Sequence, residues 1–507
     1  MPAPERNQRA EHASLTEFLE SNLSANQRQR VGLLAFHQWP WVTAAFIEIA
    51  VAFHQIGAET KIGLWADDTP LPDPGWSTSR RMASLTGSHT LEESAVELIE
   101  QAGISSGSFV RPPLGHHTPR GLPELPTPLT RAAVRALDYQ GSGMGRSILQ
   151  VHPDFNTPIR DDLVWPRRWI RRAVKSYAWV YDQTRELIRR HDLQTLLVFN
   201  GRFTHDRAAA AAAEALGVNV LYYDYGGIET YFDVTLTDLH DWDDLQERMR
   251  RMWEHWGAGR EEVAHAWFAN RENRSEPGMD LFLSEQDPHH LPPLPEEHQI
   301  IAFFSSSGDE IAELDLDWSQ YFESQEGALR TLAAVVDEMP NTTLVVRTHP
   351  HMRLKPQDDR DRWVAAVESI GRNIHVEPES PTDSYALMRT ADRVITYGST
   401  SGIEAAYRGK PTATMGPAAY QLLGCVTPLA TVDELRAWLN ESVATHPERA
   451  LPYGLMMQRR GFNLHWLRED ENGTIHRGDI ELREAKPLAQ KASHVLDALR
   501  KRWLTAR

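Results

Sequence analysis

The sequence predicts an α/β protein of two domains, each built around a mainly parallel β-sheet. Its 507 residues exceed what one hydrophobic core usually supports. Short apolar runs with the character of buried strands alternate with helical patterns, and this alternation occurs in two separate series along the chain. Because parallel neighbouring strands need a helical crossover between them, each series indicates one such sheet. We therefore expect two Rossmann-like domains that face each other across a cleft.

The first series lies before residue 240. Its strands are continuous apolar runs, which are typical of parallel strands buried on both faces. The predicted strands are 31–36, 61–65, 196–199 and 220–223, and the predicted helices are 41–56, 167–190 and 206–216. Residues 105–130 are rich in Pro and Gly and are predicted to form a loop.

The second series begins at residue 300. The predicted strands are 300–304, 343–347, 373–376, 393–396 and 412–415, and the predicted helices are 326–338, 360–370, 384–390 and one that starts at 401. The resulting boundaries are 1–240 for an N-terminal domain, 241–298 for a helical linker region, 299–480 for a C-terminal domain and 481–507 for a C-terminal helix. This basic terminal helix is expected to pack back on the first domain.

Composition and charge narrow the classes of function. Hydrophobic residues make up 41% of the chain and charged residues 24%, which is typical of a globular protein. The formal net charge of −17 argues against a general nucleic-acid binder, because phosphate neutralisation needs a clustered basic surface. The single cysteine, Cys425, excludes a disulfide framework and a cysteine-based zinc site within the chain.

The location expected from the sequence is the cytoplasm. The first residues are polar and lack the apolar core of a signal peptide, and the longest apolar stretch, 42–53, is interrupted by Glu48 and too short to cross a bilayer. Segment 167–190 interleaves aromatic residues with Arg and Lys. Such a helix either rests on an anionic membrane surface or buries its aromatic rings in the core. We favour the second, with peripheral contact at the inner membrane face as the alternative.

The clearest candidate for a ligand site follows the predicted strand 393–396. The next residues are Tyr-Gly-Ser-Thr-Ser-Gly-Ile-Glu at 397–404, and a helix is predicted from 401. Glycines let the backbone approach a phosphate, and Ser399, Thr400 and Ser401 add hydroxyl donors at the start of a helix, where anions are favoured. Glu404 could accept hydrogen bonds from ribose hydroxyls. Alternatively, Ser401 and Glu404 form only a capping box.

Two further polar turns follow neighbouring strands of the same series. Arg347 and His349 stand at the end of strand 343–347, where they could bind a phosphate and stabilise it as it departs. Ser305 and Ser306 follow strand 300–304 in a turn of small residues that includes Ser-Gly at 307–308. Since ligands of open parallel sheets bind beyond the carboxyl ends of the strands, the three turns could converge on one nucleotide. No Walker loop and no GxGxxG pattern is present, which disfavours ATP hydrolysis and NAD chemistry.

Transfer of a group to a hydroxyl needs a carboxylate or histidine within hydrogen-bond reach of that hydroxyl. In the first half, Asp224 follows strand 220–223, and it is the favoured catalytic base. The other candidates are His205, Asp206, Glu229 and, after the first strand, His37. Asp206 could equally cap the helix that it begins, and Asp224 could simply hold a turn.

A metal site is not expected. The aspartate pairs at 67–68 and at 315 and 317 are not well placed after a strand beside the phosphate loops. The histidine pairs at 116–117 and 289–290 lie in Pro-rich segments and are expected to be solvated. In a metal-free site, His349, Arg347 and helix N–H groups would supply the positive charge for a departing phosphate.

These residues together resemble the bacterial capsule polysaccharide biosynthesis family, which includes transferases that use CMP-linked Kdo and is similar in layout to bacterial sialyltransferases. The resemblance spans roughly residues 195–425, and the Ser-Thr-x-Gly-x-Glu-Ala block is fairly specific. The matching segments are Phe-Asn-Gly-Arg at 199–202, Tyr-Asp-Tyr-Gly at 223–226, Arg-Thr-His-Pro at 347–350, Thr-Tyr-Gly-Ser-Thr-Ser-Gly-Ile-Glu-Ala-Ala-Tyr-Arg-Gly-Lys-Pro at 396–411, Met-Gly at 415–416, and Tyr420 with Gly424.

The resemblance implies a metal-independent glycosyltransferase of the GT-B type that acts in surface polysaccharide biosynthesis. It implies a nucleotide-sugar donor as substrate, a CMP-linked acidic sugar such as Kdo being favoured, a glycan or lipid-linked acceptor, and no separate cofactor. By similarity, His349 would contact the donor phosphate, Ser399, Thr400 and Ser401 would hold that phosphate, Glu404 would meet the ribose, and Asp224 would inherit a catalytic role. Stretches 60–190 and 236–298 match the family poorly, and acceptor choice is expected to depend on them.

Three alternatives stay open at the level of sequence. A sugar-nucleotide 2-epimerase uses a similar pair of domains and a similar phosphate loop, but it consumes its substrate without an acceptor. A polyol-phosphate transferase would release CMP from a CDP-alcohol and leave a phosphodiester. The third alternative is a non-catalytic assembly protein of a polysaccharide machine.

Overall fold

The protein forms two compact units, each with its own six-stranded sheet. The computed structural model describes residues 14–23, 29–66, 68–71, 90–150, 164–228, 231–239, 241–275, 286–306, 321–322, 324–355 and 357–482. The N-terminal unit comprises the described residues up to 241 together with 460–482, and the C-terminal unit comprises those from 242 to 459. The predicted α/β class with two Rossmann-like domains is confirmed.

The strands of the N-terminal unit are β1 Arg30–Ala35, β2 Glu59–Leu64, β3 Thr195–Phe199, β4 Asn219–Tyr225, β5 Tyr231–Thr235 and β12 Phe462–Asn463, and a separate antiparallel sheet contains β13 Arg468–Glu469, β14 Ile475–Arg477 and β15 Ile480–Leu482. The main sheet has the strand order β12-β5-β4-β3-β1-β2. Strands β2, β1, β3 and β4 are parallel, whereas β5 pairs antiparallel with both β4 and the edge strand β12. The helices are α1 Leu15–Asn22, α2 Pro40–Gln55, α3 Leu91–Gln101, α4 Arg131–Arg135, α5 Met144–Gln150, α6 Arg167–His191 and α7 Thr204–Glu214.

The alternation of side chains along the strands explains why this sheet has helices on both faces. Leu197 and Leu221 point to one face and pack in a cluster with α1, α2 and α3. Leu196 and Val198 point to the other face and pack against α6 and α7. Both faces are therefore buried, which is the reason that these strands are apolar throughout.

The strands of the C-terminal unit are β6 Gln299–Phe304, β7 Thr342–Arg347, β8 Asn373–Val376, β9 Arg393–Thr396, β10 Thr412–Thr414 and β11 Thr427–Pro428. They form an entirely parallel sheet in the order β11-β10-β9-β6-β7-β8. This is the order of a doubly wound fold, in which the strand order reverses between β6 and β9. The helices are α8 Trp242–His255, α9 Arg260–Glu272, α10 Gln325–Asp337, α11 Gln357–Glu368, α12 Ser384–Thr390, α13 Ser401–Tyr407, α14 Val432–Asn440 and α15 Leu451–Arg459.

The segment predicted as a linker, 241–298, is instead integrated into the C-terminal unit. Helices α8 and α9 pack on α15, and Met249, Trp267 and Phe268 are buried with Tyr453 in one cluster. The many charged residues of α8 and α9 lie on exposed faces, and each helix has only a narrow apolar face. Because charged residues dominate the composition of this segment, its packing on the unit was not predicted.

The C-terminal boundary also differs from the prediction of 480, because the chain returns to the N-terminal unit at residue 460. Strand β12 pairs with β5, and Phe462 packs on the rings of Phe18 and Phe232. Of the helix predicted at 481–507, only residues 481–482 are described, and they belong to β15. Residues 483–507 lie outside the described residues, so the expected packing of that helix stays a prediction.

Candidate functional site

Three polar turns lie at one edge of the C-terminal sheet, as the sequence predicts. They follow the adjacent strands β9, β6 and β7, whose carboxyl ends share that edge because the strands are parallel. The strand order reverses between the neighbouring strands β6 and β9. Ligands of open α/β sheets bind beyond the carboxyl ends of the strands at such a point. The described part of the turn after β6 ends at Ser306, so residues 307–308 lie outside it.

A hydrogen bond joins the turns after β6 and β7. The backbone N–H of His349 donates to Ser305 Oγ at 2.7 Å, and the N–H of Ser305 donates to the carbonyl of Arg347 at 3.1 Å. Ser305 is buried, whereas His349 and Ser306 are half-buried. Ser305 therefore fixes the position of His349, while the imidazole stays at the surface of the turn.

The His349 ring is oriented by its own turn. Nδ1 accepts the backbone N–H of His351 at 3.1 Å, at the start of the short 3₁₀-helix Pro350–Leu354. A neutral imidazole that accepts at Nδ1 carries its proton on Nε2, so Nε2 is the donor atom. This is the tautomer that can donate a hydrogen bond to an anionic oxygen.

A polar network beneath this turn makes it rigid. Trp363 Nε1 donates to Thr348 Oγ1 at 2.8 Å, and the same hydroxyl lies 2.8 Å from His375 Nε2. Burial, with a contribution from Arg347, lowers the pKa of His375. Neither Trp363 nor His375 was predicted as a site residue, because the contacts join helix α11 and strand β8 to the turn.

Arg347 is buried, with only 2% of its surface exposed. Nη1 donates to the carbonyl of Glu377 at 2.6 Å, and Nε and Nη2 have no hydrogen-bond partner among the described residues. Burial lowers the pKa of Arg347 to about 10, so the guanidinium stays charged at neutral pH. A ligand at the turn would therefore not contact the buried guanidinium, but it would experience its positive electrostatic potential.

The loop after β9 is held by close backbone contacts. Gly398 has a φ of +80°, and a Cβ at this position would collide with the carbonyl of Pro417. Ser401 N–H donates to Ser399 Oγ at 3.3 Å, and the hydroxyl of Tyr420 donates to the carbonyl of Ser399. The backbone N–H of Glu404 donates to the carbonyl of Thr400 at 3.2 Å and not to Ser401 Oγ, so the alternative capping box between Ser401 and Glu404 is not formed. Thr400, the residue before α13, makes no side-chain cap bond either. Ser399 and Ser401 are half-buried and Thr400 is exposed.

Glu404 is buried and paired, which the sequence did not predict. Arg271 Nε donates to Glu404 Oε1 at 2.5 Å, and the side chains are 12% and 5% exposed. Arg271 comes from α9, in the segment predicted as a linker, and its guanidinium lies 4.9 Å from the ring centroid of Trp267. The pair ties α13 to α9, and this geometry does not present the carboxylate to solvent for the expected ribose contact.

In the N-terminal unit, Asp224 lies at the end of β4 beside Asn200, which follows the neighbouring strand β3. The Asn200 amide donates to Asp224 Oδ2, and the N–H of Tyr225 donates to Oδ1 at 2.7 Å. Burial raises the pKa of Asp224 above its ordinary value, opposed by the Tyr225 N–H, Asn200, Arg460 and Arg202. A half-buried aspartate with a raised pKa at the carboxyl edge of the sheet is suited to general acid–base chemistry.

The other predicted bases lie away from solvent. His205 is 3% exposed, with Nε2 3.0 Å from Ser176 Oγ of α6. His37 Nε2 lies 2.6 Å from Asp206 Oδ2, and these side chains are only 2% and 0% exposed. The structure thus pairs His37 with Asp206 and His205 with Ser176, and neither of these two contacts involves Asp224. Glu229 lies outside the described residues.

The remaining polar pairs contact neighbouring side chains where they are described. Asp68 Oδ2 lies 3.7 Å from Arg111, and His117, which we expected to be solvated, pairs with Asp182 at 2.9 Å. Residues 67, 315 and 317 lie outside the described ranges. Within those ranges, no group of three or more His, Cys, Asp or Glu side chains could hold a metal ion. None of the helices that the structure describes is both long and apolar enough to span a bilayer.

A comparison with protein families matches residues 316–451 to the family described as "Capsule polysaccharide biosynthesis protein". This match confirms the family resemblance, and it covers the turns at His349 and at Ser399–Ser401. No curated protein matches the chain at a significant level.

Solved structures are similar at low identity. The beta Kdo 2,4 transferase KpsC of Thermosulfurimonas dismutans is 12% identical, with 52% of this chain and 79% of that chain covered and a TM-score of 0.35. The beta Kdo 2,7 transferase of the same KpsC is 18% identical, with 51% and 79% covered and a TM-score of 0.31. A UDP-GlcNAc 2-epimerase from Neisseria meningitidis is 11% identical, with 94% and 100% covered and a TM-score of 0.26. Likenesses this distant do not decide between activities.

Proposed function

We propose that this chain, whose residues 316–451 match the capsule polysaccharide family, is a glycosyltransferase of surface polysaccharide biosynthesis. The observation that carries the proposal is the convergence of three polar turns at the carboxyl ends of β6, β7 and β9, where the strand order reverses. A nucleotide sugar is the ligand that these turns fit, because hydroxyls, backbone N–H groups and a histidine N–H all donate to phosphate oxygens.

Each residue has a role in this proposal. His349 donates from Nε2 to the donor phosphate and stabilises the negative charge that develops when the nucleotide departs. Ser399, Thr400, Ser401 and Ser306 provide further polar contacts, and Ser305 positions His349. Arg347 contributes its buried charge, and Glu404 with Arg271 fixes the start of α13. These groups supply positive potential without a metal ion, so we propose metal-independent transfer.

The acceptor hydroxyl is deprotonated by Asp224 in the N-terminal unit. Its raised pKa, caused mainly by burial, brings the carboxyl closer to the range in which it accepts a proton during reaction. The resemblance to the capsule family favours a CMP-linked acidic sugar such as Kdo as the donor and a glycan or lipid-linked glycan as the acceptor. The reaction is proposed to take place at the cytoplasmic side of the membrane.

A transfer assay in the presence of EDTA tests this proposal. Purified protein is incubated with CMP-, UDP- or GDP-sugars, with and without glycan acceptors, and nucleotide release and product mass are followed. We expect acceptor-dependent release of nucleotide and an acceptor heavier by one sugar. Asp224→Asn should lower kcat by about 10²–10⁴-fold, as expected for loss of a general base.

The exposed Asp192, whose side chain is 85% accessible, offers a matched control in the same unit, and Asp192→Asn should retain the rate. Isomerised nucleotide sugar without any acceptor would instead identify an epimerase. Transfer of a polyol phosphate from a CDP-alcohol would identify the phosphodiester-forming alternative. Product formation at the wild-type rate by Asp224→Asn would refute the assignment of the base.

A further inference from the structure

We propose that the N-terminal half of α6 docks the protein on an anionic phospholipid surface. The contact is a basic strip, formed by the exposed side chains of Arg167, Arg168, Arg171 and Lys175. This inference concerns where the protein is held, and it does not depend on the reaction that the protein catalyses.

The strip occupies the outer side of a helix whose other sides are buried. The rings of Trp169, Tyr177, Trp179 and Tyr181 lie in the hydrophobic core, each with 5% or less of its surface exposed. The aromatic residues are therefore not available to insert into a membrane. The arginines and the lysine are exposed at helical spacing, so the strip presents charge alone.

The position of these charges opposes the stability of the helix. The first turn of α6 contains no acidic residue and begins with Arg167 and Arg168, at the end where the helix dipole is positive. Arg167, Arg171 and Lys175 are spaced four residues apart, and like charges at this spacing repel one another. Helix stability alone would favour acidic or neutral residues at these positions. We therefore infer that the basic residues serve a purpose other than the stability of the helix.

Arg167, Arg171 and Lys175 of this strip have no acidic side chain as a partner among the described residues. Arg167 donates to the carbonyls of Leu125 and Pro126 at 2.7 and 2.8 Å, contacts that carry no net negative charge. Arg171 and Lys175 have no hydrogen-bond or ion-pair partner among the described residues. The chain as a whole is acidic, with a net charge of −17, whereas this strip is basic. An anionic partner would therefore be attracted to the strip and repelled by most of the remaining surface.

The shape of the strip favours a lipid surface over a single phosphate. From Arg167 to Lys175 the helix rises about 12 Å, so the charges form a row along the helix and do not surround a point. Val164, which is 51% exposed, lies shortly before the helix, which begins at Arg167. A row of cations matches the many headgroups of an anionic membrane, for which clustered Lys and Arg on a helix are typical.

Vesicle sedimentation tests the proposal. Full-length protein is mixed at low salt with vesicles of phosphatidylcholine, either alone or containing phosphatidylglycerol. We expect binding only to the vesicles that contain phosphatidylglycerol, and its loss at high salt. Since each basic residue near an anionic surface contributes about fivefold to affinity, Arg171→Gln with Lys175→Gln should weaken binding by about 25-fold.

A matched control removes two exposed arginines from the other end of the same helix. Arg189→Gln with Arg190→Gln has the same net charge as the test variant and should retain binding. The melting temperature of the test variant should be unchanged or higher, because the removed charges opposed the helix, and this separates lost docking from unfolding. Equal binding by wild type and test variant would overturn the proposal. So would absence of binding to phosphatidylglycerol, or stronger binding to a soluble anionic polysaccharide than to vesicles.

Discussion

Gly402 illustrates how tightly single residues determine the shape of the proposed phosphate loop. A Cβ at this position would collide with the hydroxyl of Tyr420, which donates to the carbonyl of Ser399. The same Cβ would lie 3.1 Å from Thr396 Oγ1. The glycine therefore allows helix α13 to approach the tyrosine that holds the loop.

We predict that Gly402→Ala destabilises the C-terminal unit by about 1–3 kcal/mol, because the added methyl overfills the contact. Tyr420→Phe removes the hydroxyl, at a cost of about 1 kcal/mol for the lost hydrogen bond. In the double variant the two effects should be less than additive by about 1 kcal/mol, since the phenylalanine relieves the collision. Denaturant unfolding of the four proteins measures this. Strict additivity, or an alanine variant as stable as the wild type, would show that Tyr420 does not restrict position 402.

Other roles of single residues could not be predicted from the sequence. The position of Glu404 suggested a ribose ligand, but its partner Arg271 lies 133 positions away in the chain. No spacing rule relates the two, because the contact depends on how α9 packs on the unit. Asp224 was favoured over His205 as the base, and the structure adds a difference in exposure, since His205 is buried and Asp224 is half-buried.

Glu48 connects helix α2 to the returning C-terminal segment. Its Oε1 accepts the backbone N–H groups of His465 at 3.0 Å and Leu467 at 2.6 Å. Burial raises the pKa of Glu48 to about 7, although the backbone donors and Arg477 oppose this shift. The charged carboxylate is therefore disfavoured in the folded protein relative to the unfolded chain.

This shift predicts a pH-dependent contribution to stability. A carboxyl whose folded pKa lies above its ordinary value of 4.5 stabilises the fold most at low pH, and the contribution is lost as pH rises to about 7. Gln retains an oxygen that accepts both N–H groups and does not ionise. We expect Glu48→Gln to exceed the wild type in stability by about 2–3 kcal/mol above pH 7, with the difference disappearing below the ordinary pKa of 4.5.

Unfolding measured across this pH range for the wild type and the variant checks the prediction. Glu100→Gln, at an exposed position of α3, controls for the loss of one charge. If the difference in unfolding free energy between the wild type and Glu48→Gln does not change with pH, Glu48 is ionised in the folded protein over the whole pH range.

At the scale of elements, the parallel strands were predictable and the antiparallel edges were not. Strands β8 and β9 were predicted at their observed bounds, because short segments with β-branched residues between helical patterns identify strands. Strand β12 has only two residues and β5 lies next to polar segments, so neither presents a recognisable pattern. Their pairing is decided by contacts between residues more than two hundred positions apart.

The chain as a whole forms two units, and the N-terminal one is completed by the C-terminal residues 460–482. Sequence patterns predicted the two sheets and the shared edge of the three turns, since both follow from the order of strands and helices. They did not predict where the chain passes from one unit to the other, because the many charges of α8 and α9 led to the prediction of a linker. The proposed division of function follows the units, with the nucleotide in the C-terminal unit and the catalytic base in the N-terminal unit.

The central claim is that the C-terminal unit binds the nucleotide part of a sugar donor. The measurement that tests it most directly is a thermal-shift titration with CMP, CDP, UMP, UDP and GDP, in EDTA, on the wild type, Asp224→Asn and His349→Ala. A ligand that binds only the folded state stabilises it by about 2.7 kcal/mol at a hundredfold excess over Kd. We predict that CMP raises the melting temperature of the wild type and Asp224→Asn but not that of His349→Ala. No shift with any nucleotide, or an equal shift in His349→Ala, would contradict the account.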